Sequence, residues 1–307
     1  MLLKPKHAEC ENREKLSKKH QIAGDAEDWF SRELLNKYQL SGVTFDFFVN
    51  WKNWTHGTLS NELWVKRNVS EEQIPSISTD AIQNLIYSCD SEEFVKDLAL
   101  LAKGSLKYKL FRESVDWESQ TDDYCPILSV DIDITGKVSA VNREKLSCLM
   151  KQIKTLSGGT VRVGGKGLFY SYTKLECYLS KTDAAWPGDA DLILLDSKKK
   201  PIAILEFKKH TKLEAIESHK FEKYYKNNGS DKRKYNRLAI LRDALGDIPL
   251  LVIYYPTREE HNYILIDEVL GEVGDLSANR EWSLDLPVDE KSQRDLIEKI
   301  IEIVMEE

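Results

Sequence analysis

The sequence predicts an α/β protein, α+β overall. An N-terminal α+β accessory domain is expected over residues 1–125, an α/β core with a central mixed sheet flanked by helices over 126–260, and an acidic C-terminal segment ending in a helix over 261–307. Three observations carry this division. The length of 307 residues exceeds that of one usual domain. Apolar residues recur at helical spacing in some segments and alternate or run together in others. Near residue 126 the pattern changes to a regular succession of strands, turns and helices.

Taken in order, residues 1–22 are polar and mixed in charge, and Asp25 then offers an N-cap to a helix with Trp29, Phe30, Leu34 and Leu35 on its apolar stripe. Aromatic and β-branched content predicts strands at 43–51 and 62–69, and helical spacing returns from 79 to about 103. A strand is expected from Ile127 to Ile134, then a Thr135-Gly136-Lys137 turn and a helix carrying Leu146, Leu149, Met150, Ile153 and Leu156 on one face, ended by Gly158-Gly159. Strands follow at 160–163 and 168–179 around a Gly-rich turn, then at 191–195 and 202–208. A basic helical stretch from about 213 to 245, an apolar strand at 249–255 and an amphipathic helix near 292–305 complete the pattern. No internal repeat or low-complexity segment is visible.

Hydrophobic residues make up 41% and charged residues 31% of the chain, and no apolar run approaches the roughly 20 residues of a bilayer span. A soluble protein without a membrane partner is expected. The N-terminus lacks an apolar h-region and a small-residue cleavage site, which predicts a cytoplasmic location. The five cysteines, Cys10, Cys89, Cys125, Cys148 and Cys177, lie far apart without a Cys-x-x-Cys pair and are expected as reduced thiols. The same scatter argues against a structural zinc or iron–sulfur site.

The net charge of −7 is unevenly distributed. Residues 257–307 hold five Lys/Arg against fifteen Asp/Glu, whereas 198–237 hold thirteen Lys/Arg against five Asp/Glu. The chain is electrostatically polarised, and its basic stretch suits a polyanion.

The stretch that carries chemistry runs from Pro187 to His210 and reads as a hairpin. With Ser197–Lys200 as the loop and Asp196 facing Pro201, antiparallel register sets Leu195 opposite Ile202, Ile193 opposite Ile204 and Asp191 opposite Glu206. Alternation puts Lys208 on the face of Glu206, while Leu192, Leu194, Ala203, Leu205 and Phe207 line the other. Apolar residues on both faces mark central strands, where an uncompensated carboxylate costs several kcal/mol. A hard cation such as Mg2+ is the natural compensation for neighbouring Asp and Glu, and in phosphodiester hydrolysis a lysine neutralises developing charge or orients the attacking water.

Asp191, a hydrophobic strand, a turn and Glu206-Phe207-Lys208 together resemble the PD-(D/E)xK nuclease superfamily, with its restriction-endonuclease-like core. The resemblance spans residues 140–256 by pattern and three residues by motif. It implies a metal-dependent nuclease, most readily a DNA endonuclease, with RNA also open as substrate. Asp191 and Glu206 would bind Mg2+, or Mn2+ in its place, and Lys208 would assist catalysis. Asp189 rivals Asp191 for the aspartate position, and Glu144 is a candidate for the acidic residue that many members carry on the preceding helix. Many such nucleases act as homodimers, although no dimer signal stands out here.

Lys220, Lys223, Lys226, Arg233, Lys234 and Arg237 interleave with Tyr224 and Tyr225 directly after the motif. They are the expected phosphate contacts, against the plainer reading of a solvated helix face with core tyrosines. Trp29, Trp51, Trp54, Trp64 and Trp117 crowd the N-terminal region and are expected to pack in its interior rather than to read bases. Asp131-Ile132-Asp133 faintly resembles the first motif of DEDD exonucleases but is expected as an edge strand entering a turn. The Gly159–Gly167 run fails the phosphate-loop spacing and reads as a hairpin turn. A non-catalytic binding module on the same fold is the alternative from another class.

Overall fold

The computed structural model describes residues 1–5, 8–10, 26–53, 55–70, 78–121, 124–163, 168, 170–226 and 231–306. They form a mixed α/β protein in two compact units. The first comprises the described residues within Met1–Glu14, Phe45–Lys52 and Thr58–Asp189. The second comprises those within Lys15–Thr44, Asn53–Gly57 and Ala190–Glu307. The units alternate along the chain, so this division does not coincide with boundaries at 125 and 260.

In the first unit the sheet order is β1 (Ser41–Asn53), β2 (His56–Val69), β3 (Leu106–Phe111), β4 (Ile127–Ile132) and β5 (Val138–Glu144). Strands β2 and β3 are parallel, and β3, β4 and β5 are successively antiparallel. Leu2–Leu3 adds an antiparallel segment to β2. The helical spacing from 79 to 103 resolves into two helices, α2 (Thr79–Asp90) and α3 (Glu92–Leu101), after α1 (Arg32–Lys37) of the other unit. Ser91 separates them with φ 65°, and its hydroxyl accepts from Phe94 N to cap the second. Helix α4 (Leu146–Leu156) places Leu149 and Ile153 against Trp64, Phe111, Ile127 and Leu179.

Two expectations fail here for local reasons. Residues 168–179 were expected as a strand but form mainly helix α5 (Lys174–Leu179), because Thr173 caps it by accepting from Glu176 N. Asp131 lies in β4 between two neighbours, not on an edge strand, and β5 occupies the segment expected to lead straight from turn to helix.

A disulfide joins Cys10 to Cys177, with Cα atoms 4.8 Å apart, and overturns the expectation that all cysteines are reduced. A separation of 167 residues gave the sequence no spacing signal for it. Cys89, Cys125 and Cys148 are free thiols.

In the second unit the order is β10 (Asp275–Asp285), β9 (Tyr263–Glu272), β8 (Leu250–Pro256), β7 (Pro201–His210) and β6 (Gly188–Leu195). Strands β7 and β8 are parallel and the other pairs antiparallel. The segment over 261–307, read as an acidic tail, holds a β-hairpin whose Ile264, Ile266 and Val269 are buried, followed by α8 (Glu290–Met305). Asp289 and Ser292 form a reciprocal cap at the start of α8. The core of this unit gathers Phe30, Leu34 and Leu35 with Leu194, Leu205, Ile253, Leu296 and Ile300. Ser31 breaks the first predicted helix into a 3-10 turn, Ala26–Phe30, and α1. Asp25, its expected cap, lies outside the described residues.

The interior of the first unit holds charge as well as apolar side chains. Lys66 Nζ stands 2.8 Å from Asp46 Oδ1 and 2.9 Å from Glu176 Oε1, and all three side chains are buried. Arg67 grips Asp90 through Nε and Nη2, and Lys109 Nζ lies 2.7 Å from Glu144 Oε2 and 4.4 Å from the Trp64 ring centroid. Glu144 is thus the last residue of β5 and partner of a buried lysine, not an acid on a helix. Burial pushes the Asp46 carboxyl up to about 6 against the pull of Lys66, with Glu176 and Asp189 adding repulsion.

Asp46 has an ordinary value of 3.8, so between there and about 6 the folded state binds the extra proton and stability falls as pH rises. Urea unfolding of the wild type and Asp46→Asn from pH 4 to 7 should show a stability difference moving against the wild type by at most about 3 kcal/mol. A pH-independent difference would contradict the assignment. Non-reducing peptide mapping should recover the Cys10–Cys177 cross-link, and reduction should lower the unfolding free energy by about 2–4 kcal/mol.

Candidate active site

Strand β6 leads into β7 through a tight loop in which Asp196 Oδ1 accepts from Lys198 N and Lys200 N, with Lys199 at φ 63°. Leu195 pairs with Pro201, one position earlier than expected, and an irregularity before Ala203 absorbs the shift. Beyond it the register is the anticipated one, with Ile193 opposite Ile204 and Leu192 opposite Leu205. The ladder stops there. Asp191 instead turns its carboxylate onto the next strand, where Oδ2 accepts from Phe207 N at 2.7 Å. Asp191 therefore meets β7 at the peptide joining Glu206 to Phe207.

Glu206 is fully buried on the face opposite Leu205 and Phe207. Lys234 Nζ lies 2.6 Å from its Oε1, and Lys208 Nζ is 3.4 Å from the same oxygen. Its Oε2 has no hydrogen-bond partner among the described residues. Lys208 also donates to Asp231 Oδ2 at 2.8 Å and sits 5.4 Å from the Tyr235 ring centroid. Burial and the nearby Lys234 work against its charge, but Glu206, Tyr235 and Asp231 outweigh them and hold the ammonium above its ordinary pKa. That balance favours the ammonium form of Lys208.

Helix α7 (Lys232–Ala244) supplies Lys234 and Tyr235, and Asp231 directly precedes it. The basic stretch over 213–245 is not one helix: a 3-10 turn (Ile216–His219), the short α6 (Phe221–Tyr225) and α7 divide it. Tyr225 and Tyr235 are interior residues packed on Phe221. Burial pushes the Tyr235 hydroxyl up to about 12 despite Lys208. Behind it Tyr254, in register with Lys208 on the parallel strand, is raised strongly by burial, and Asp267 is raised by the same cause.

The expected phosphate contacts divide. Lys220 pairs with Glu281 and lies 3.8 Å from Asp267 Oδ1, and Lys226 pairs with Glu222. Lys234 is turned onto Glu206. Lys223 is exposed, with Nζ 3.5 Å from Ser218 O, whereas Arg233 and Arg237 are half-buried. Burial alone lowers the Arg233 pKa. Asp231, Tyr254 and Asp267 escaped sequence reasoning; only the N-cap position of Asp231 before a basic helix signals any of them.

The other candidates have structural employment. Asp189 belongs to the first unit and acts electrostatically on Asp46 and Lys66. Asp133 Oδ1 accepts from Thr135 N, Thr135 Oγ1 and Lys137 N in a turn, and those bonds lower its pKa. Trp64 and Trp117 are core residues, and Trp29 packs edge-on against Tyr255. Trp54 lies outside the described residues, as do residues 164–167 of the Gly-rich run.

Among the described residues no group of three or more His, Cys, Asp or Glu converges to hold a metal ion, and no helix is long and apolar enough to cross a membrane. Mg2+ needs only one or two carboxylates, with waters completing its shell. Asp191 and the buried, unbonded Oε2 of Glu206 fit that smaller donor set. Comparison of the chain with protein-family models, with curated proteins and with solved structures found no significant match.

Because Glu206 shares two lysines, their removal should be coupled. Lys208→Met or Lys234→Met alone leaves one cation on the carboxylate, whereas the double substitution leaves none. The double variant should be destabilised by about 0.5–3 kcal/mol more than the sum of the singles in urea unfolding. Strict additivity would show that only one lysine compensates Glu206.

Proposed function

We propose that the chain is a metal-dependent nuclease hydrolysing phosphodiester bonds, with DNA the favoured substrate and Asp191, Glu206 and Lys208 as its centre. The observation that carries the reading is Glu206, fully buried with one carboxylate oxygen unbonded and Asp191 held one peptide away. A carboxylate so placed raises the free energy of the fold, and functional sites are where such a cost persists. The hairpin motif, together with a parallel β8 and an intervening helix, supports a restriction-endonuclease-like identity for the second unit.

Asp191 and Glu206 would hold Mg2+ or Mn2+, which supplies Lewis acidity toward a phosphate oxygen and acidifies bound water. Lys208, charged and anchored by Asp231, would neutralise charge developing on the phosphate. Lys234 would exchange Glu206 for a phosphate oxygen once the carboxylate is otherwise engaged. Lys223, Arg233 and Arg237 would extend the contact along the backbone.

A second reading has its own support. Lys234 already neutralises Glu206 at 2.6 Å, an arrangement that also suits a non-catalytic nucleic-acid-binding module.

Supercoiled plasmid, single-stranded DNA and RNA should be incubated with the wild type, Asp191→Ala, Glu206→Ala and Lys208→Ala in Mg2+, Mn2+ or EDTA. Cleavage should require the metal and fall by at least about 100-fold in each variant. Binding without cleavage of any substrate would favour the non-catalytic module, and cleavage surviving Glu206→Ala would relocate the site.

A further inference from the structure

The first unit carries a pocket that the nuclease reading does not use. It opens on one face of β3, β4 and β5. Its floor is a cross-strand row in which Leu110 pairs with Leu128 and Leu128 with Arg143. Arg112 lies two residues beyond Leu110 and so points to the same side. Val115, Tyr124 and Cys125 complete the wall.

Two features set this pocket apart from an ordinary surface depression. Its walls are mostly apolar, yet two guanidinium groups line it, and neither Arg112 nor Arg143 has a salt bridge or side-chain hydrogen bond among the described residues. The Arg112 Nε donor is buried and has no hydrogen-bond partner. A buried donor without an acceptor is costly, and an oxyanion in the pocket would relieve that cost. Guanidinium groups match carboxylate and phosphate oxygens in geometry and charge. The apolar floor and Tyr124, which is 47% exposed, would receive a flat apolar body attached to that anion.

We infer that this pocket binds a small organic anion, with Arg112 and Arg143 holding an oxyanion head and Leu110, Leu128 and Tyr124 packing against an apolar body. The head is a carboxylate or a phosphate monoester, two sources of the same recognition chemistry.

Cys125 lies in the wall and is a free thiol, which supplies a readout on the intact chain. Its alkylation rate should be followed by site-resolved mass spectrometry with millimolar phenyl phosphate, benzoate, phenol or inorganic phosphate. Cys148, exposed and outside the pocket, is the internal control. Phenyl phosphate or benzoate should slow alkylation of Cys125 and leave Cys148 unchanged, and the tighter of the two identifies the head. Arg112→Met should weaken that protection about tenfold or more, the loss of one charge-assisted hydrogen bond. Arg143→Met, at an exposed side chain, tests the same point without endangering the fold. The assignment is overturned if neither anion protects Cys125, if phenol or inorganic phosphate protects as well as phenyl phosphate, or if protection survives both substitutions.

Discussion

Glu206 has no exposure to solvent, and a carboxylate in that position costs several kcal/mol unless cations stand beside it. Much of the polar face of the second unit answers that demand. Lys208 reaches Glu206 by strand alternation, and Lys234 reaches it because α7 lays its first turn over the end of β7. Asp231 and the Tyr235 ring then fix Lys208 from the other side. Leu192, Leu194, Ala203 and Leu205 belong to the apolar core on the other face of the hairpin. Glu206, Lys208 and Lys234 thus form a charged cluster on the face of β7 opposite Leu205.

The first unit meets the same requirement with separate pairs. Consecutive residues Lys66 and Arg67 point to opposite faces of β2, and each finds its own buried carboxylate. Lys109 is lowered in pKa by burial, while Glu144 acts to keep it charged. These pairs are poor sources of net stability compared with apolar packing, but each strongly penalises a fold in which one member loses its partner. They favour one strand register over its neighbours.

Sequence reasoning reached furthest where the period of the pattern was unambiguous. The β6–β7 hairpin was legible because apolar residues on both faces and a polar loop left few registers open, and only the irregularity before Ala203 escaped it. Asp191 was expected to pair with Glu206, but the ladder ends at Leu192 and Leu205 and its carboxylate accepts from Phe207 N, an ending that no pattern announces. Strands β9 and β10 were hidden because their acidic residues suggested a tail, although Ile264 and Ile266 mark a buried face in retrospect. Helix α5 was hidden by the aromatic and β-branched content before it, even though Thr173 and Glu176 carry a cap signature. The phosphate-contact expectation suffered most from reading charge locally: Lys220, Lys226 and Lys234 are committed to acids, two of which lie far along the chain or on another strand.

The alternation of the two units along the chain bears on how the protein is made. Phe30, Leu34 and Leu35 emerge from the ribosome long before Leu205, Ile253 and Ile300, the residues that bury them. At a synthesis rate of roughly 5–20 residues per second, that apolar stripe waits on the order of ten seconds while the strands of the first unit are produced. During this interval it resembles an amphipathic segment without its partner, a natural target for a holdase chaperone and a point of vulnerability to aggregation. The second unit closes only once α8 has been made, so the candidate catalytic hairpin is framed after every strand of the first unit.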